Sequence, residues 1–229
     1  DYPGVGLGWE TATPLLLSDR VIVPTSSGKI FMVDLDGNPI GTYVDIPLFE
    51  TGVALKFKSG PGSLIYDSGF VYFGASNGHF YKMDIDGNIV ADVQTGEAVY
   101  HAAPYIYTEA DGTKTAFIGG WGGSVFAIDC ATMTVKWQYD LYSKNDDPEN
   151  FGLFGSVTMG TGVYSNMMAV TYTDGAMSPI NSGIAVFNLD TLDPIDPQPV
   201  WKDESFSAAG SPGCFRAVTS RYSSRLSIP

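Results

Sequence analysis

Two short motifs carry the oxygen ligands that a calcium site would need. Asp34 and Asp84 each begin an Asp-x-Asp-Gly-Asn segment. Calcium loops of the EF-hand type also need a further acidic or amide ligand and a glutamate at position twelve, which neither segment supplies. The same residue order is typical of hairpin turns, because glycine and asparagine tolerate positive φ. We therefore predict turns, not metal sites, at both segments.

The other residues with chemical potential are few and scattered. His79 and His101 have no metal-ligand spacing to each other or to the two cysteines, Cys130 and Cys214, so structural roles are predicted for both histidines. Trp121 lies in a Gly-Gly-Trp-Gly-Gly segment. This tryptophan fits either a stacking platform on a rim or a packing residue in a turn, and packing is favoured. The sequence predicts no catalytic residue and no metal ligand.

Composition excludes several classes of protein. The 25 acidic and 12 basic residues give a formal net charge of −13, which repels phosphate backbones and anionic membranes. Nucleic-acid binding is therefore not expected. No apolar stretch reaches the roughly 18 residues of a transmembrane helix. The 27 glycines and 14 prolines favour many short strands joined by turns.

A repeat runs through most of the chain. Each copy has a small residue and a glycine, then an apolar run, then an aspartate, and the fourth copy contains one extra residue. The four copies are Ser27–Asp34, Asn77–Asp84, Gly122–Asp129 and Ser182–Asp190. Apolar runs of strand length precede each copy, and another follows it after a turn signal. Each unit thus predicts a four-stranded antiparallel sheet of the size of a propeller blade, with strands A to D in chain order.

The predicted architecture is an all-β propeller of about four blades. The blades are expected at residues 11–46, 60–95, 101–142 and 153–204, within a propeller region of residues 1–205. Residues 206–229 are expected to form an atypical tail or an incomplete strand of a fifth blade. Two polar insertions, 143–150 and 174–181, are predicted to be surface loops.

The third repeat resembles a known family. It contains the sequence Ala-Ile-Asp-Cys-Ala-Thr-Met-Thr-Val-Lys-Trp, which is similar to the tryptophan-docking motif of PQQ-like repeats, the blades of quinoprotein alcohol dehydrogenase-like β-propellers. Ala127, Asp129, Thr132 and Trp137 match the motif, whereas Met133 replaces its glycine. The resemblance implies that the Trp137 indole packs between adjacent blades. It also implies that Asp129 and Thr132 brace the turn between strands C and D.

The other repeats keep parts of this motif. Asp34 and Asp84 retain the aspartate, with Tyr43 and Val93 near the tryptophan position. The fourth repeat retains the aspartate and threonine, and a tryptophan follows its insertion. The residues for which the resemblance implies a structural role in blade docking are Trp9, Asp34, Asp84, Ala127, Asp129, Thr132, Trp137, Asp190 and Trp201.

The two ends of the chain bear on blade number. The segment around Trp9 looks like a D strand, and Ser207–Pro212 looks like the A strand of a fifth blade. Propellers of this family usually have seven or eight blades, so four blades look like half of an eight-blade ring. A protein partner or a second copy would then complete the propeller, in competition with a closed four-blade ring or a place within a larger assembly.

Two functions are compatible with the resemblance. Quinoprotein dehydrogenases build their active site from a complete ring and carry an adjacent-cysteine disulfide against the cofactor, whereas Cys130 and Cys214 are isolated in this sequence. A non-catalytic scaffold for protein–protein interaction, analogous to the periplasmic propeller of outer-membrane assembly machines, is therefore preferred. The alternative is a degenerate or split PQQ-dependent dehydrogenase subunit, with PQQ and calcium as cofactors. In either case His101 and Trp121 are the candidate channel or rim residues.

The expected location is extracytoplasmic, either periplasmic or secreted. The chain begins at Asp1 without a methionine. A cleaved signal peptide or an excised segment would each explain this start.

Overall fold

The computed structural model describes residues 12–47, 60–99, 103–141, 151–152, 156–174 and 183–204. This part of the chain forms seventeen strands, β1 to β17, and one short 3₁₀ turn at Gly162–Tyr164. All of the strand pairings are antiparallel, and they form four separate sheets. The prediction of an all-β fold is confirmed. The part of the chain described here contains no helix that is long and apolar enough to cross a membrane.

The first two sheets are plain four-stranded meanders, in which each strand pairs with the next in the chain. Blade 1 contains β1 (Leu15–Leu16), β2 (Arg20–Pro24), β3 (Lys29–Asp34) and β4 (Val44–Asp45). Blade 2 contains β5 (Ile65–Asp67), β6 (Phe70–Gly74), β7 (His79–Asp84) and β8 (Ile89–Gln94).

The third and fourth sheets follow the same order, with one addition. Blade 3 contains β9 (Tyr105–Thr108), β10 (Lys114–Gly119), β11 (Ser124–Asp129) and β12 (Thr134–Asp140). Blade 4 contains β13 (Phe151–Gly152), β14 (Thr158–Met159), β15 (Met167–Asp174), β16 (Gly183–Asn188) and β17 (Trp201–Asp203). Both β13 and β14 pair with the long strand β15, so the first strand of this blade is divided in two.

The core lies between the blades. Three clusters of buried apolar side chains join blade 1 to blade 2, blade 2 to blade 3 and blade 3 to blade 4, and we call them the first, second and third junctions. The two middle strands of a blade are covered on both faces by neighbouring sheets. Residues 115–119 of β10 and 124–128 of β11 are accordingly all buried. Their continuous apolar sequence follows from this two-sided burial.

The fourth repeat has a different register from the one predicted. The third strand of every blade has six residues, and Gly183 is the first residue of β16 whereas Asn188 is the last. Asn188, not Asp190, therefore occupies the position that Asp84 and Asp129 hold in their blades. Counting from the glycine placed the aspartate two residues too late, because Gly183 lies in the strand and not in the preceding turn.

The remaining predictions of chain organisation fall largely outside the described residues. These include Trp9, the strand proposed at Ser207–Pro212, nearly all of the two polar insertions and the tail from residue 206. The division into a propeller region and a tail stays a prediction.

Candidate functional site: the blade junctions and the fourth-blade loops

The two Asp-Gly motifs form tight turns between the third and fourth strands. One carboxylate oxygen of Asp84 accepts the backbone N–H groups of Asp86 and Asn88, and the other oxygen accepts the Asn88 side-chain amide at 2.8 Å. Asp34 repeats the arrangement in blade 1. The side-chain bond from asparagine, followed by its backbone bond, lowers the pKa of each aspartate. These oxygens are occupied in holding the turn, which is the role the hairpin interpretation predicts.

The corresponding turns of blades 3 and 4 use the same principle with different residues. Asp129 Oδ1 accepts the backbone N–H groups of Ala131 and Thr132 at 2.8 and 2.7 Å. In blade 4 the side-chain oxygen of Asn188 accepts the backbone N–H of Asp190 at 3.1 Å. An amide oxygen thus replaces the carboxylate at this position. Asp190 does not take the turn-bracing place that the sequence assigned to it.

The third junction contains the tryptophan of the docking motif. Trp137 is opposite Ala127 across β12 and β11, and only 7% of its surface is exposed. Its ring centroid lies 5.7 Å from Phe117 in its own blade and 6.1 Å from Phe187 in blade 4. The small Ala127 leaves the space above the sheet that the indole fills. Trp137 therefore contributes apolar area to the contact of two blades.

The second junction has no tryptophan at the equivalent position. Lys82 and Ala91 face each other across β7 and β8, as Ala127 and Trp137 do in blade 3, so the large and small residues have exchanged strands. The Lys82 ammonium lies 4.4 Å from the centroid of Phe70 and donates to the carbonyl oxygen of Cys130 in blade 3 at 2.9 Å. Its aliphatic stem fills the junction while its charge is held by a ring face and a carbonyl.

Tyr43 and Val93, which lie near the tryptophan position in the sequences of blades 1 and 2, do not themselves occupy it. Val93 is opposite Phe80, so it lies two pairs beyond Ala91. Tyr43 contacts Phe31 and lies under the Lys29 ammonium, on the face of blade 1 that points away from blade 2.

Trp201 has the same register as Trp137 but a different environment. It is opposite Val186 across β17 and β16, and Val186 is the fourth residue of its strand, as Ala127 is of β11. The Trp201 side chain nevertheless has 40% of its surface exposed, because it lies on the face of blade 4 that points away from blade 3. It belongs to none of the three junctions in the described part of the chain.

Trp121 lies in the turn between β10 and β11, beside the connection from blade 2 to blade 3. Its backbone N–H donates to the carbonyl of Ala98 at 2.6 Å, and its indole nitrogen is shielded from solvent. The Glu97 side chain packs against the same turn, where a Cβ on Gly120 would come within 2.5 Å of its carboxylate oxygen. A ring whose polar edge is covered is better suited to packing than to open stacking.

The remaining candidates are structural or lie outside the description. His79 Nδ1 is 2.6 Å from a carboxylate oxygen of Asp92, and its ring stacks on Tyr81. Cys130 is a buried free thiol, and burial raises its pKa to about 11. His101 and Cys214 lie outside the described residues. In the part of the chain that is described, no three His, Cys, Asp or Glu side chains are grouped as metal ligands.

The sequence did not indicate a loop region with exposed apolar side chains on the fourth blade, which we call the fourth-blade loops. It comprises the loop of residues 160–166 between β14 and β15 and the loop of residues 189–200 between β16 and β17. Val163 in the first loop has 82% of its surface exposed, and Ile195 in the second has 92%. The turns between the third and fourth strands of blades 1 and 2 are shorter Asp-x-Asp-Gly-Asn turns, and Leu35 in the blade 1 turn is 60% exposed. The only sequence signal was the proline- and aspartate-rich insertion before Trp201.

These loops are anchored at their bases. The Asn166 side-chain amide donates to Asn188 Oδ1 at 3.0 Å and to an Asp190 carboxylate oxygen at 2.7 Å. A Cβ on Gly160 would lie 2.1 Å from the carbonyl oxygen of Tyr164, so this tight 3₁₀ turn requires glycine there. The Asn166 side chain thus joins the bases of the two loops. Asp190 takes part in joining them.

Stacked four-stranded meanders with cores between them define the class of this protein, a β-propeller. No protein-family model and no curated protein matches the sequence. Similarity is found among solved structures, where it extends over most of the chain.

Three solved structures illustrate the likeness. BamB from Moraxella catarrhalis is 16% identical, with a TM-score of 0.57 over 88% of this chain and 54% of BamB. A quinohemoprotein alcohol dehydrogenase of Pseudomonas putida HK5 is also 16% identical, with a TM-score of 0.58 over 84% of this chain and 33% of that enzyme. The computationally designed Ika4 protein is 13% identical, with a TM-score of 0.50 over 78% of this chain and 90% of Ika4. The chain thus spans about half the length of BamB and a third of the dehydrogenase, and likeness at this identity concerns the fold alone.

Proposed function

We propose that this protein is a non-catalytic, extracytoplasmic propeller scaffold that binds another protein through the fourth-blade loops. The observation that carries the proposal is the exposure of Val163 and Ile195 on neighbouring loops. Exposed apolar side chains on anchored loops gain free energy when a partner covers them.

The chemistry of the loops supports a protein partner. Backbone and side-chain bonds fix the bases of the loops, so binding would order few residues and lose little conformational entropy. Tyr164 lies beside Val163 and is also exposed, and tyrosine is enriched at protein interfaces because it combines apolar area with a hydroxyl. The polar rim would be supplied by Asp190 and Asp193.

Site-specific crosslinking tests this proposal. A photoreactive amino acid replaces Ile195 in one variant and Val163 in another, and a third variant carries it at Asp36 in the tight turn of blade 1 as a matched control. In the source cells we expect one discrete crosslinked protein from both blade 4 positions and none from position 36. Equal labelling at all three positions, or none at any, would contradict a partner site on the fourth blade.

A ligand titration tests the enzymatic alternative separately. The purified chain is titrated with PQQ and calcium and followed by visible absorbance. We expect no saturable binding. Tight one-to-one binding would overturn the scaffold proposal in favour of a split or degenerate quinoprotein subunit. Cell fractionation, with a cytoplasmic and a periplasmic marker enzyme, tests the proposed location.

A further inference from the structure

The loop of residues 189–200 presents one apolar side chain at a fixed place. Leu189 and Leu192 pack against the third junction, and Pro197 is buried. Between Leu192 and Pro197 lies Ile195, which has 92% of its surface exposed. Ile195 thus projects from a loop whose residues on both sides pack against the blade.

Short-range hydrogen bonds hold this loop in shape. The backbone N–H of Ile195 donates to Asp193 Oδ1 at 2.9 Å, which forms an Asx turn. The side-chain amide of Gln198 donates to Asp196 Oδ1 at 2.7 Å. Residues 194, 197 and 199 are prolines, whose rings restrict φ. Because the loop is ordered before binding, little conformational entropy is lost when a partner covers Ile195.

The charges around Ile195 indicate the kind of partner. The loop contains Asp190, Asp193 and Asp196 but neither lysine nor arginine. All three aspartates are exposed, and none of them takes part in an ion pair within the described part of the chain. The loop of residues 160–166 has no charged residue. A surface that complements these loops is therefore apolar at its centre and positively charged at its edge.

We propose that Ile195 enters an apolar pocket of a protein partner, and that lysine or arginine side chains border this pocket opposite Asp193 and Asp196. This inference rests on the proposed function, because it names the chemistry of the partner that the fourth-blade loops bind. The buried isoleucine supplies affinity, and the charges orient the partner and speed its association. An anionic lipid surface would also accept an isoleucine, but the aspartates repel it.

A competition assay measures the contribution of Ile195. The purified chain with a photoreactive amino acid at position 163 is the tracer in an extract of the source cells, and unlabelled variants compete for the crosslinked protein. Ile195→Ser should raise the half-inhibiting concentration by about thirtyfold or more, as loss of a buried hot-spot contact does. Ile195→Leu keeps the apolar side chain and should compete like the unmodified chain. Neither substitution should lower the melting temperature, because Ile195 is exposed in the folded protein.

The same assay tests the charges. Asp193→Asn combined with Asp196→Asn removes two charges but keeps the oxygens that accept bonds from Ile195 and Gln198. This double variant should raise the half-inhibiting concentration by about tenfold at low salt, and about 0.5 M salt should remove most of the difference. The matched control, Asp36→Asn combined with Asp86→Asn, removes the same charge from the turns of blades 1 and 2 and should compete like the unmodified chain. Equal shifts in the two double variants would refute a basic pocket at the fourth blade.

The outcomes separate this inference from the proposed function. If no protein is crosslinked at position 163 or 195, or only another part of the same protein is, both proposals fail. If a protein is crosslinked but the Asp193→Asn, Asp196→Asn variant competes as well as the unmodified chain, the partner exists and only the basic pocket is refuted. Vesicles of phosphatidylglycerol and phosphatidylcholine test the lipid alternative by cosedimentation, and we expect no binding. Vesicle binding that Ile195→Ser abolishes would overturn the protein pocket in favour of a membrane surface.

Discussion

The second and third junctions place a long side chain at equivalent positions, but that side chain comes from a different strand of the blade in each. At the third junction the small Ala127 lies under the large Trp137, and at the second the long Lys82 lies beside the small Ala91. Each pair places one long side chain against the next blade, but only the tryptophan is uncharged. The Lys82 ammonium donates a hydrogen bond to the Cys130 carbonyl and lies over the ring of Phe70. Blade stacking therefore depends on the volume at this position, and the docking motif is one of several ways to provide it.

The largest effect is expected from the tryptophan. Trp137→Ala should lower the free energy of unfolding by about 3–5 kcal/mol, because it removes a buried aromatic side chain and leaves a cavity against Phe187. Urea unfolding followed by circular dichroism measures this change. Val135→Ala, at a partly exposed residue of the same strand, is the control and should cost less than about 1 kcal/mol. Equal losses in the two variants would mean that the third junction does not depend on the indole.

The lysine of the second junction should give an intermediate effect. Lys82→Ala should cost about 2 kcal/mol, since it removes both the packed stem and the bond to Cys130. Lys82→Met should cost only about 1 kcal/mol, because the stem is kept and only the hydrogen bond is lost. Met32 holds this position in blade 1, so methionine is compatible with the strand.

A double substitution tests whether the two junctions are interchangeable. Lys82→Ala combined with Ala91→Trp reproduces the residue pair of blade 3 in blade 2. We expect the double variant to recover more than half of the stability lost by Lys82→Ala, measured by the same urea unfolding. A double variant less stable than Lys82→Ala would show that the neighbours of each pair, and not the pair itself, determine which residues fit.

The residues explain why one junction could be predicted and the other could not. Trp137 follows Asp129 and Thr132 at the motif spacing, so its position could be counted from the sequence. In the sequence, Lys82 resembles a solvent-facing charged residue in an apolar strand. Its role depends on the carbonyl of Cys130, which lies 48 residues away in the chain, so no local sequence pattern predicts it. The fold itself needed only the repeating strands and turns, which are local features.

The register predicted for the fourth repeat was wrong for a related reason. Its register depends on which glycine begins the strand, and Gly183 has a counterpart in Ser124 and not in the turn glycine Gly123. The fourth-blade loops escaped prediction because exposure of Val163 or Ile195 is a property of packing. A proline- and aspartate-rich insertion indicates a loop, but its sequence does not say which side chains the neighbouring loop will leave uncovered.

The thiol at the second junction reports whether that junction is closed. Burial raises the pKa of Cys130 to about 11, so little thiolate is present at pH 8. In a Cys214→Ser background, Cys130 should react with a disulfide reagent about a hundredfold more slowly in the native protein than in denaturant. A native rate equal to the denatured rate would contradict burial of this thiol.

The smallest effect concerns the turns, where blade 2 has a carboxylate and blade 4 an amide. Bonds from Asn88 lower the pKa of Asp84 below its value of about 3.9 in an unfolded chain. A depressed native pKa stabilises the fold above that unfolded value, and the contribution is lost as pH falls through the native pKa. Asp84→Asn, which installs the residue type found at Asn188, should therefore lower the melting temperature slightly at pH 7. The difference from the unmodified protein should shrink below about pH 4. Asn88→Ala removes the side-chain amide that donates to Asp84, so it should also make the melting temperature less dependent on pH. Melting curves recorded between pH 2.5 and 7 measure both, and curves that stay parallel over that range would show that this carboxylate is not linked to folding.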